Sequence, residues 1–169
     1  DCINSTFVST EGRYLNKLEK ELLKLTKSKF ILLTNSGTSA LHMALHQLKV
    51  EETEILVPSM TFVATVNAIK YVNAIPHFID CKKNDINIDA QALEEYLTKI
   101  CVLKNNVYIN KNTRRQIKTL IVVHAYGYPA NLSEIKKITK KFKIEIVEDA
   151  AGAIGSKFDN VHVGTSSRF

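Results

Sequence analysis

A chain of 169 residues fits one domain and is long enough to bury a sizeable core. Hydrophobic residues at 45% and charged residues at 24% are ordinary globular values, which exclude a disordered, collagenous or low-complexity chain. Lys and Arg (23) exceed Asp and Glu (17), giving a net charge of +6, but much of the excess lies in helix-like stretches such as Lys136, Lys137, Lys140 and Lys141. Long cations there coat a solvent face, and no basic stripe interleaved with aromatics points to nucleic acid.

No apolar run approaches the length of a bilayer span, and Asp1-Cys2-Ile3-Asn4-Ser5 lacks the basic and apolar regions of a signal peptide. The expectation is a soluble, cytoplasmic domain with no membrane partner. Cys2, Cys81 and Cys101 are odd in number and far apart, with no CxxC and no matching His pair, so neither a disulfide framework nor a metal site follows. The chain opens without Met and closes at Thr165-Ser166-Ser167-Arg168-Phe169, and it reads as a fragment.

In chain order, Tyr14, Leu15, Leu18, Leu22 and Leu25 recur among Lys and Glu at helical spacing, which predicts an amphipathic helix from Tyr14 to Leu25. Phe30 to Leu33 is a short apolar run read as a strand, ending in the polar turn Thr34-Asn35-Ser36-Gly37-Thr38. A helix follows with Leu41, Ala44, Leu45 and Leu48 on one face. Glu54 to Val57 is a strand stopped by Pro58, Thr61 to Tyr71 a helix, and Ile75 to Ile79 the next strand. After the loop Asp80 to Asp85, Asp89 caps a helix from Ala90 to Leu97. Val102 to Arg115 is polar and predicts a surface loop or a small hairpin. Thr119 to Val123 is a β-branched strand, Asn131 to Phe142 a helix, and Ile144 to Val147 a further strand. Such alternation predicts an α/β fold, a mostly parallel sheet with helices on both faces, in one domain or part of one.

Ligands of open α/β sheets bind beyond the carboxyl ends of the strands, and three places there carry unusual residues. Ser36-Gly37-Thr38 opens a helix, where free N–H groups and a partial positive charge suit a phosphate; a helix start merely capped by Asn35 or Ser36 is the alternative. It is neither a Walker loop nor a GxGxxG fingerprint. Glu148-Asp149 ends an apolar strand, where a half-buried acid needs a cationic partner, and Ala150, Ala151 and Gly152 leave room for a flat ligand. Two acids capping the next segment would look the same. Phe62, after Pro58-Ser59-Met60-Thr61, can stack on a planar ring or belong to the core, and His124 is a candidate catalytic group or a hydrogen-bonded structural histidine. A phosphate turn, a stacking aromatic and a buried acid together describe a site for pyridoxal phosphate.

These residues carry a resemblance. Asn35-Ser36-Gly37-Thr38-Ser39-Ala40-Leu41-His42-Met43-Ala44-Leu45, Val57 to Thr65 with Val66-Asn67-Ala68-Ile69, His124 to Ala130, and Val147-Glu148-Asp149-Ala150-Ala151 resemble, in order and spacing, motifs of the DegT/DnrJ/EryC1/StrS family of fold-type-I sugar aminotransferases. The resemblance runs from about Phe7 to Gly164. It implies that 1–169 is the N-terminal part of the large pyridoxal-phosphate-binding domain, without its remainder or the small domain. Ser36, Gly37 and Thr38 would hold the cofactor phosphate, Phe62 would stack on the ring, and Asp149 would pair with the protonated ring nitrogen. The implied reaction passes an amino group, usually from glutamate, to a nucleotide-linked keto sugar in a homodimeric enzyme. The stretch Tyr108 to Lys118 resembles the subgroup that aminates the C4 ketone of UDP-linked 4-keto-6-deoxy-N-acetylhexosamine.

Two departures bear on that reading. Gly152 stands where the family usually has Gln or Glu, and the Schiff-base lysine of the family lies beyond Phe169; Lys70 and Lys157 lack its motif context. The chain alone is therefore expected not to turn over, since that amine holds the aldehyde and shuttles the proton. Three alternatives remain open: a sugar dehydratase of the same family with His in the lysine's place, a non-catalytic cofactor-binding relative, and an unrelated nucleotide-binding domain.

Overall fold

The computed structural model describes residues 3–6, 9 and 12–168; Asp1, Cys2, Phe7 and Phe169 lie outside the described residues. In chain order the elements are α1 (Arg13–Thr26), α2 (Gly37–Gln47), β1 (Glu54–Pro58), α3 (Val63–Tyr71), β2 (Ile75–Ile79), α4 (Ala90–Ile100), β3 (Cys101–Lys104), β4 (Val107–Asn110), β5 (Ile117–Val123), α5 (Leu132–Phe142), β6 (Glu145–Asp149), β7 (Lys157–Phe158) and β8 (Val161–His162). Three of the helices begin at side-chain caps. Ser36 Oγ accepts from Ser39 N, Asp89 from Gln91 N and Ala92 N, and Asn131 from Glu134 N. Each cap satisfies main-chain donors that a first helical turn leaves without partners.

The strands β2, β1, β5 and β6 form one sheet in that order, every pair parallel. Parallel strands covered on both faces read as continuous apolar runs, and β1 is buried along its whole length. Side chains alternate across the pleat and so build two cores. Ile55, Val57, Ile121 and Val147 pack with Leu41 and Leu45 of α2 and Ala68 and Ile69 of α3. Leu56, Leu120, Val122 and Ile146 pack on the other face with Leu93 and Leu97 of α4 and Leu132 and Ile135 of α5. Full burial of each such branched side chain contributes about 1.5–3 kcal/mol. The expected architecture is therefore present, helices on both faces included.

One expectation needs correction. Phe30 to Leu33 is not a strand: Phe30 is 89% and Leu32 69% exposed, and no strand of the described residues pairs with the run. Four apolar residues without a neighbouring ladder have nothing to hold them in a sheet. The polar stretch after α4 is the hairpin β3–β4, and the short hairpin β7–β8 was missed because two-residue strands carry no readable alternation. α1 has the predicted apolar stripe, yet none of its residues is buried. No helix of the described residues is long and apolar enough to cross a membrane.

At the amino-terminal edge of the sheet a buried polar cluster ties the hairpin down. Glu54, 1% exposed, accepts from Asn110 Nδ2 at 2.9 Å and from Thr113 Oγ1 at 2.5 Å, and lies 3.2 Å from His77 Nδ1. The other ring nitrogen of His77 meets the Tyr96 hydroxyl. Burial, and then the nearby Glu54 charge, push the Cys101 thiol up to about 11. Cys101 is thus protonated at neutral pH and, since the thiolate is the nucleophile, is expected to react slowly with iodoacetamide. Its rate should climb toward a plateau above pH 11. Neutral-pH labelling as fast as in urea would contradict this.

Candidate functional site

The strand order reverses between β1 and β5: β1 leads outward to β2 through α3, whereas β5 leads to β6 on the other side through α5. A crevice opens at such a switch point, outside the carboxyl ends of the strands. All four strands being parallel, the segments after β1, β5 and β6 meet at this one edge.

Asp149 is the last residue of β6 and stands on the same side of the sheet as Val147, toward α2 and α3. It is half-buried, and both of its carboxylate oxygens are held. Thr65 Oγ1 donates to Oδ2 at 2.7 Å, and Ala151 N donates to Oδ1 at 3.2 Å. Thr65 in turn accepts from Thr61 Oγ1 at 2.8 Å. Between these two threonines, Phe62 occupies the N-cap position of α3 and is 75% exposed. It is no core residue.

The start of α2 reaches the same place. A Cβ on Gly37 would stand 3.9 Å from the Ala151 Cβ, so this turn lies against the residue two beyond Asp149. Ser36 Oγ caps Ser39 N, also meeting Ser39 Oγ at 3.0 Å. Capping and anion binding are therefore not exclusive here. The Gly37 and Thr38 N–H groups precede any intrahelical acceptor, and among the described residues neither finds a main-chain partner. Gly152 opens onto space, since a Cβ there would meet nothing within 4 Å. The helix start follows an irregular segment rather than the strand expected before it.

Glu148, the neighbour of Asp149, points to the opposite face and does different work. Its carboxylate is fully buried and meets His124 Nε2 at 3.0 Å. It also accepts from Gly164 N at 2.7 Å, Ser166 N at 2.9 Å and Ser167 Oγ at 2.8 Å. Burial works against its charge, but the hydrogen bonds from His124, Gly164 and Ser167 outweigh it and hold Glu148 below the usual glutamate value of 4.5. Ala130 N donates to His124 Nδ1 at 3.1 Å, which fixes the Nε2–H tautomer. Both ring nitrogens of His124 are therefore engaged, and the ring is 1% exposed. The loop after it needs Gly127 at φ 83°, where a Cβ would come 3.4 Å from Gly152 O.

The structure thus brings Ser36, Gly37, Thr38, Phe62, Asp149 and Gly152 to one edge, and it withdraws His124 behind them. Thr61 and Thr65 were missed from sequence; their i,i+4 spacing at a helix start was the available sign. Chemically the edge offers main-chain donors for an anion, an exposed aromatic face and an oriented acid, within an α/β domain of the ligand-binding type.

The model of the DegT/DnrJ/EryC1/StrS aminotransferase family matches residues 1–169, and the chain belongs to that family. It is 32% identical over 166 residues to GDP-perosamine synthase of Escherichia coli O157:H7, an alignment covering 98% of this chain and 41% of the relative. It is 34% identical over 157 residues to the UDP-4-amino-4,6-dideoxy-N-acetyl-beta-L-altrosamine transaminase of Campylobacter jejuni, covering 93% and 38%. Among solved structures, a DegT DnrJ EryC1 StrS aminotransferase from Brucella abortus superposes with a TM-score of 0.81 at 28% identity, covering 96% of this chain and 41% of that one. The chain spans about two fifths of the length of the curated relatives it matches.

Proposed function

We propose that this chain forms the N-terminal part of the cofactor domain of an enzyme that moves an amino group, from glutamate, onto a nucleotide-linked keto-deoxy sugar with pyridoxal phosphate. The observation that carries the reading is Asp149, a half-buried acid at a strand end with both oxygens oriented, set beside a helix start whose first main-chain donors find no main-chain partner among the described residues. When bound, pyridoxal phosphate supplies a cationic ring that takes up the electron pair left as an α proton departs. The chain's residues bind and orient that ring. Ser36, Gly37 and Thr38 hold its phosphate, Phe62 covers one face, and Asp149 keeps the proton on the ring nitrogen. Gly152 leaves the ring edge open. His124, with both nitrogens committed, positions the strand end and takes no part in proton transfer.

The reading places the proton-shuttling lysine outside this chain and takes the assembled enzyme for a cytoplasmic homodimer. UDP-linked 4-keto-6-deoxy-N-acetylhexosamine is the first substrate to try. The test is the full-length enzyme with pyridoxal phosphate, nitrogen-labelled glutamate and that sugar. Label in an amino sugar supports the proposal. A dehydrated sugar carrying no label would replace it with the dehydratase reading.

Phe62 permits a cleaner local test. Because the residue is 75% exposed, Phe62→Ala should change stability by less than about 0.5 kcal/mol. Loss of one ring face should weaken cofactor binding by about fivefold. Unchanged affinity in an equilibrium titration would remove Phe62 from the site.

A further inference from the structure

We infer that Thr65 is a positioning residue, which sets the orientation of Asp149 toward the cofactor through a two-hydroxyl relay that begins at Thr61. The inference rests on the reading of Asp149 given above and deepens it. Thr65 is 1% exposed in α3, and its hydroxyl donates to Asp149 Oδ2 at 2.7 Å while accepting from Thr61 Oγ1 at 2.8 Å. A carboxylate only accepts, so the single Thr65 hydroxyl proton goes to Asp149 and the Thr65 oxygen is left to accept from Thr61. The direction of the relay is therefore fixed, and each bond polarises the next.

The opposite oxygen, Oδ1, is held by Ala151 N at 3.2 Å. Two donors on different elements, α3 and the turn after β6, pin the carboxylate against rotation about its terminal torsion. Ala151 N alone would leave that broad, two-fold torsion free. A hydrogen bond between a carboxylate and a ring nitrogen depends on in-plane approach to a lone pair, so freedom here costs both affinity and alignment. Phe62 lies three residues before Thr65. One helix start thereby carries the ring-covering aromatic and the group that aims the acid.

The experiment compares the full-length enzyme with Thr65→Val, Thr65→Ser, Thr61→Val and Asp149→Ala. Thr65→Val conserves volume and β-branching and removes the hydroxyl, which is both the donor to Asp149 and the acceptor for Thr61. We expect it to weaken pyridoxal phosphate binding about tenfold, the scale of one hydrogen bond to a charged group. The visible absorption band of the bound cofactor should shift, while the melting temperature stays unchanged. Thr65→Ser should restore affinity and spectrum, and Thr61→Val should fall between wild type and Thr65→Val. If Thr65→Val folds poorly, Thr61→Val decides, because Thr61 touches Asp149 only through Thr65.

Wild-type affinity and spectrum in Thr65→Val, or in Thr61→Val where that variant decides, with Asp149→Ala impaired, overturn the inference alone. An equal loss in Thr65→Val and Thr65→Ser also overturns it, by assigning the effect to packing. A wild-type enzyme without the cofactor band instead overturns the reading of the site.

Discussion

Asp149→Ala in the full-length enzyme should lower kcat by about two to three orders of magnitude, the usual cost of removing an oriented group that stabilises developing charge. The expectation follows from position. Asp149 ends β6 at the switch-point edge, beside the start of α2, and nothing cationic among the described residues pairs with it. A half-buried acid without a cationic partner is costly unless a ligand supplies one. Asp149→Asn separates charge from shape, since the amide keeps an oxygen for the Thr65 hydroxyl. Steady-state rates and the cofactor absorption band should fall in both variants. An Asn variant within a few-fold of wild type would mean that Asp149 does not serve the ring nitrogen.

Glu148 should matter as much, but for stability. Glu148→Ala leaves His124 Nε2–H, Gly164 N, Ser166 N and Ser167 Oγ without their acceptor in a buried setting. The loss should be about 3–5 kcal/mol, or about 10 °C in melting temperature for a domain of this size. Its pH dependence has a definite sign. The folded-state value lies below 4.5, so the stabilisation is complete above pH 4.5 and is lost as pH falls through the lower folded-state value. Glu148→Gln, which cannot titrate, should flatten the stability curve in that acid window. Urea midpoints measured across the window check this, and parallel curves for wild type and Glu148→Gln would refute it.

The adjacent acids show where sequence reading stops. Glu148-Asp149 was recognisable as a strand-end pair, and the family motifs singled out Asp149. Nothing in the dipeptide says that one faces α3 and a crevice while the other faces a buried histidine. The two-residue pleat decides this, once Ile146 and Val147 are assigned to opposite cores. His124 is similar. As a strand-end histidine it was open to catalysis, and only the folded contacts to Glu148 and Ala130 show both nitrogens occupied. The Tyr108 to Lys118 stretch carries a resemblance to a subgroup, and only the structure shows that its Asn110 and Thr113 bind Glu54 at the amino-terminal edge of the sheet.

By itself the sequence determined most of the alternation of helices and strands, the cap at Asp89, the parallel α/β class and the family. Those features are written in local propensity, in continuous apolar runs and in motifs a few residues long. Tertiary structure alone decided that Phe30 to Leu33 has no strand partner among the described residues, that Thr65 of α3 holds an acid 84 residues away, and that Gly37 rests against Ala151. Such contacts depend on which strands become neighbours. That order, β2-β1-β5-β6, follows from how the whole set of apolar faces packs, and no single segment contains it.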